Sequence, residues 1–175
     1  MTVVRRAGAL AGLLFAAAGD MARAGATAPP PDGSCPVGPH LSIAAGVVEV
    51  FDPEPRGFYS IAWQYRRGGR RVSPWLFAEA TTRDTFIGFG GLVDFPVGGR
   101  AVVTPSFAVA VYHEHDGIGL GSMIEFRSGL EATWPVGPGR LGAAFLHYSH
   151  AGVGGDGNPG TEALLVVWTT PIGRR

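Results

Sequence analysis

His147, Ser149 and Glu162 are the residues of this 175-residue chain whose types and spacing can do chemistry together. In an extended segment, residues two apart point to the same side, so His147 and Ser149 share a face. Glu162 opens the next extended segment, and an antiparallel return brings it back alongside. A serine hydroxyl becomes nucleophilic when an imidazole can take its proton. An acid beside that imidazole fixes its tautomer and stabilises its charged form. The set fits hydrolysis through nucleophilic attack on a carbonyl. A His and a Ser closing a strand equally suit the wet rim of a sheet, so spacing alone leaves both readings open.

Other constellations carry less. His113, Glu114, His115 and Asp116 form a short cluster, better read as solvated loop charge than as a metal site. Gly88, Gly90 and Gly91 precede no helix that could receive a phosphate; they fit crowding inside a narrow structure. No metal or cofactor is expected. Cys35 is the single cysteine, so no intrachain disulfide can form. The 14 positive residues, all Arg, balance 14 Asp and Glu. A net charge of zero leaves no basic excess for phosphates, which argues against a nucleic-acid binder. Hydrophobic residues reach 46%, which excludes a disordered polar chain.

The elements that must position these residues read as strands. Residues 1–24 have the form of a secretory signal peptide: Arg5-Arg6, an apolar run from Ala7 to Ala18, and the small-x-small site Ala22-Arg23-Ala24. No lipobox precedes Cys35. Residues 25–40 form a loose lead-in rich in Ala, Pro and Gly. Beyond it no segment holds a 3.6-residue period, whereas period 2 recurs. Ile124, Phe126, Ser128, Leu130 and Trp134 alternate with Glu125, Arg127, Glu131 and Thr133. Tyr59, Ile61, Trp63 and Tyr65 alternate with Ser60, Ala62, Gln64 and Arg66. Such segments are predicted at 41–50, 57–67, 73–81, 85–95, 101–113, 122–134, 140–150 and 161–172. Eight long strands with apolar outer and polar inner faces predict an all-β, eight-stranded antiparallel outer-membrane β-barrel over residues 41–172. Its interior is filled by side chains, with Glu125, Arg127 and Glu131 pairing with groups such as Arg66 and Glu79, and Asp94 satisfied there too. Trp63, Trp75, Trp134 and Trp168 fit interfacial belts. The rival fold is a soluble lipid-binding barrel with an apolar interior.

Tight turns at Arg67–Arg70, Pro96–Gly99 and Pro135–Gly139 alternate with longer connections at His113–Gly121 and Gly152–Gly160. Short periplasmic turns and longer outer loops are the pattern of outer-membrane barrels, which places both termini in the periplasm. His147, Ser149 and Glu162 then stand near the outer rim on the apolar outer face, where a polar residue is costly and marks function.

Phe145-Leu146-His147-Tyr148-Ser149-His150-Ala151-Gly152, followed by Asn158-Pro159-Gly160-Thr161-Glu162, resembles the PagL-type lipid A 3-O-deacylases. That family carries His-x-Ser-Asn-Ala-Gly and then an Asn-x-Gly-x-Glu-like segment. Gly119-Leu120-Gly121-Ser122 and Glu125-Phe126-Arg127-Ser128-Gly129 resemble its sixth strand. The resemblance spans roughly residues 41–172. It implies an outer-membrane serine esterase that removes the 3-O-linked hydroxyacyl chain from lipid A, with His147, Ser149 and Glu162 at the family's catalytic positions. Position 150 is His where the family has Asn; His150 and the Gly152 N–H are the expected oxyanion donors. The partners implied are lipopolysaccharide in the outer leaflet and the membrane itself, with a homodimer open and no nucleic acid. A non-catalytic structural or adhesive barrel is the functional rival.

Overall fold

The computed structural model describes residues 35–115, 117–153 and 160–172. The expected signal segment, residues 1–24, lies outside them, as do Asp116, Asn158 and Pro159. Alternating side chains put the described chain into nine strands: β1 (Gly38–Val48), β2 (Arg56–Arg66), β3 (Ser73–Ala80), β4 (Thr85–Leu92), β5 (Phe95–Val97), β6 (Ala101–His113), β7 (Ile124–Val136), β8 (Gly139–Ser149) and β9 (Thr161–Pro171). Each pairs antiparallel with its neighbour in sequence, except that β4 and β5 both pair with β6 and not with each other. β9 pairs back onto β1, from His40 opposite Pro171 to Val48 opposite Ala163, and closes the sheet. The result is an antiparallel barrel of eight staves.

The segment expected as one strand over 85–95 is broken at Val93–Asp94. The register is unchanged across the break, since Leu92 faces Ser106 and Phe95 faces Val103. Val93 N–H donates to the Pro105 carbonyl at 3.1 Å, but Pro105 has no N–H to return. The ladder therefore lapses opposite the proline.

Closure leaves two faces. Outward stand Ile61, Leu76, Phe89, Phe107, Leu130, Phe145, Leu164 and Val166, all exposed. Inward, the end with the longer loops is aromatic: Phe86 packs on Tyr112 and Tyr148 with ring centroids 4.7 and 4.5 Å away. Ile118 and Leu120, from the β6–β7 loop, are buried over this end. The Tyr112 hydroxyl donates to the Ile118 carbonyl, and the Ile118 N–H to Asp84 at 3.1 Å. At mid-height Arg127 meets Glu79 at 3.1 Å and lies over the Trp75 ring at 4.5 Å. A Cβ at Gly88 would come within 2.4 Å of Phe77 Cζ, so only glycine fits beside that ring.

Toward the tight-turn end Arg66 pairs with Asp94, which also accepts from Thr104. Cys35 is buried there, ahead of β1. Burial pushes its thiol up to about 11, although the Arg66 guanidinium pulls the other way. The space left among Ser42, Gln64, Trp75 and Arg127 is about 30 Å³, room for a water or two rather than a channel.

The interior corrects three expectations. Arg66 takes Asp94 instead of a glutamate. Glu125 and Glu131 have no ion pair among the described residues, and both Glu125 carboxylate oxygens are buried without a hydrogen bond. Trp75 lies inside the barrel rather than in an outer belt, because it sits on the inward phase of β3 with Phe77 and Glu79.

Candidate active site

The site is built on three adjacent strands, β7, β8 and β9. His147 and Ser149 fall on the outward phase of β8, while Leu146 and Tyr148 between and before them are buried inside. Registers then set the neighbours. His147 faces Glu162 on β9 and Ser128 on β7, and Ser128 faces Phe107 on β6. Phe107, Ser128, His147 and Glu162 thus form one lateral row. Ser149 stands one step nearer the longer loops, opposite Phe126.

His147 Nδ1 lies 3.0 Å from Glu162 Oε1. Both side chains are partly open, at 41% and 28% exposure, so the pair is reachable from the outer face. The carboxylate accepts a hydrogen bond from Nδ1–H, which leaves Nε2 unprotonated as the base. Two backbone features hold this pair. The Val50 N–H donates to the Glu162 carbonyl at 3.3 Å, tying the start of β9 to the β1–β2 loop. Gly160 lies against the imidazole, and a Cβ there would approach His147 Cε1 to 2.7 Å.

Ser149 and His147 share an open groove of about 280 Å³ with Phe107, Phe126, Ser128 and Ala151. The Phe107 and Phe126 rings stack at 6.0 Å and give its apolar wall. No hydrogen bond joins Ser149 Oγ to the imidazole among the described residues; such contacts commonly tighten only when substrate binds. Directly after β8 the chain turns through left-handed conformations at Ala151 (φ 51°) and Gly152 (φ 79°), closed by the Val153 N–H on the His150 carbonyl at 2.9 Å.

The structure therefore brings His147, Ser149 and Glu162 onto one patch. It does not bring the His150 ring there. His150 is 2% exposed, and its Nε2 packs toward Gly121 in the loop over the barrel mouth. Gly152 is exposed in the turn beyond the serine. His113 and His115 meet edge to face at 4.4 Å, away from this groove. Two residues of the site have no role assigned by the sequence reading. Gly160 and Ser128 stand there only as members of the family-like segments; the signal for Ser128 is a hydroxyl in an otherwise apolar phase.

An antiparallel barrel of eight staves with a His–Glu pair and a serine on its apolar outer face has the architecture of a barrel hydrolase. The lipid A 3-O-deacylase (PagL) family matches residues 56–171, and the chain belongs to that family. Among solved structures, the crystal structure of the outer membrane enzyme PagL is similar over 76% of this chain and 99% of that one. Its TM-score is 0.60, at 18% sequence identity. No curated protein sequence matches.

Proposed function

We propose that the protein is an outer-membrane esterase that removes the 3-O-linked hydroxyacyl chain from lipid A by a Ser149–His147–Glu162 mechanism. The observation that carries this is the 3.0 Å His147–Glu162 contact beside Ser149, on an outward face whose neighbours are Phe107, Phe126 and Phe145. Residues 1–24 direct export. The longer loops face outward, so the triad meets the leaflet that holds lipid A.

Ser149 Oγ attacks the ester carbonyl while His147 Nε2 takes its proton. Glu162 holds the resulting imidazolium through Nδ1. The tetrahedral intermediate collapses, and His147 returns the proton to the departing sugar oxygen, leaving the acyl group on Ser149. A water, deprotonated by His147, attacks the acyl carbonyl; the bond to Ser149 Oγ breaks, His147 returns the proton to that oxygen, and the hydroxy fatty acid leaves. The Gly152 N–H, in the left-handed turn beyond the serine, serves the oxyanion. The His150 carbonyl closes that turn, a bond any residue can supply, and Asn is the residue the family carries there, so His150→Asn retains activity.

Expression in a bacterium whose lipid A keeps all its chains tests the reading. Lipid A mass spectra lose one hydroxyacyl chain with wild type. Ser149→Ala and His147→Ala abolish this, because base and nucleophile act as a unit; Glu162→Ala costs less. All three keep the heat-modifiable mobility of a folded barrel, since an outward hydroxyl or ring packs no core. Deacylation by Ser149→Ala at the wild-type rate removes the serine from the mechanism. Intact lipid A with wild type favours a structural barrel.

A further inference from the structure

Ser128 is a hydroxyl on the outward face of β7, between Phe126 and Leu130 on the same phase and opposite Phe107 on β6. A polar group on a face that meets hydrocarbon is costly and calls for a function. Its environment supplies no structural one. The hydroxyls of Ser60 and Ser73 donate to Glu79 and to the Arg71 carbonyl, that of Ser106 accepts from Arg127, and that of Ser122 donates to the Ile124 carbonyl. Ser128 Oγ takes part in no hydrogen bond among the described residues, yet it is exposed and lines the groove that holds Ser149 and His147.

The register gives its place along a bound chain. Ser149 faces Phe126 and His147 faces Ser128, so Ser128 is the diagonal neighbour of Ser149, at roughly 7–8 Å between backbones and less between side chains. The apolar wall lies beyond it, at Phe107. An acyl chain whose carbonyl carbon sits at Ser149 Oγ and whose tail runs toward Phe107 passes Ser128 within its first few carbons. In a 3-hydroxyacyl chain that is where the hydroxyl is, two carbons beyond the carbonyl.

We propose that Ser128 is a specificity-determining residue whose hydroxyl recognises the 3-hydroxyl of the acyl chain, so that the enzyme selects 3-hydroxyacyl esters over unsubstituted ones. This rests on the esterase reading above. A serine hydroxyl both donates and accepts, so it pairs with the substrate hydroxyl in either sense. An unsubstituted chain leaves the Ser128 hydroxyl unpaired against hydrocarbon.

The test uses purified full-length protein in detergent micelles and two glucosamine esters of equal chain length, one 3-hydroxylated and one not. Wild type favours the hydroxylated ester in kcat/KM by about three- to tenfold, the range of one hydrogen bond. Ser128→Ala brings that ratio close to one, and Ser128→Thr, which keeps the hydroxyl, restores it. A ratio unchanged in Ser128→Ala overturns the proposal. So does an equal loss on both esters, which would make Ser128 a partner of His147 or of the sugar instead. If wild type cleaves neither ester, the esterase reading falls and takes the assignment with it. Cleavage of both with no dependence on Ser128 overturns the assignment alone.

Discussion

Gly160 has no chemistry of its own, yet the position of the base depends on it. Any side chain there meets His147 Cε1, and Tyr148's carbonyl closes the other side at 3.1 Å. We expect Gly160→Ala to leave the barrel folded and to push the imidazole off its line to the serine. A misplacement near 1 Å costs about a hundredfold in rate, read from hydroxy fatty acid release with heat-modifiable mobility as the folding control. The His-x-Ser pair and the glutamate beginning the next strand were legible in the sequence, because period-2 phasing fixes faces without knowledge of the fold. The roles of Gly160 and Ser128 were not, although both stand in the family-like segments. Their meaning comes from registers and close approach, which a single chain does not print. The same holds for Glu125: its inward phase was legible, its lack of a partner was not.

At the scale of elements, β7 and β8 are fastened from inside. Arg127 bonds Glu79 at 3.1 and 3.2 Å and approaches the Tyr148 hydroxyl at 3.1 Å. Tyr148 lies between His147 and Ser149, so the interior network backs the strand that carries the chemistry. Removing one member of a buried ion pair strands the other charge, at about 3–5 kcal/mol. We expect Arg127→Leu to destabilise the barrel by that order and Arg127→Leu/Glu79→Leu to recover much of it, as measured by urea unfolding in detergent. Strand limits were legible to within a few residues, since long alternating segments between Gly-rich turns leave little choice. The break between β4 and β5 was not, because its cause, Pro105, sits on the neighbouring stave. Trp75 was misplaced for a related reason: its size suggested a membrane interface, whereas its phase puts it beneath Arg127.

The whole molecule turns hydrocarbon side chains outward around an interior of ion pairs and packed aromatic rings. We expect it to fractionate with the outer membrane and to resist extraction by salt, as an apolar surface on every stave demands. Recovery of folded protein in the soluble periplasm would remove the membrane assignment. The barrel also carries its own unfolding sensor. The Cys35 thiol is shut into the tight-turn end, and burial raises its pKa to about 11. A maleimide should leave the folded protein unlabelled and attach once that end opens, when the thiol returns to its ordinary acidity and reaches water. Because the chain has a single cysteine, each label marks one opened barrel, and labelling rate becomes a clock for loss of the seal that needs no engineered probe.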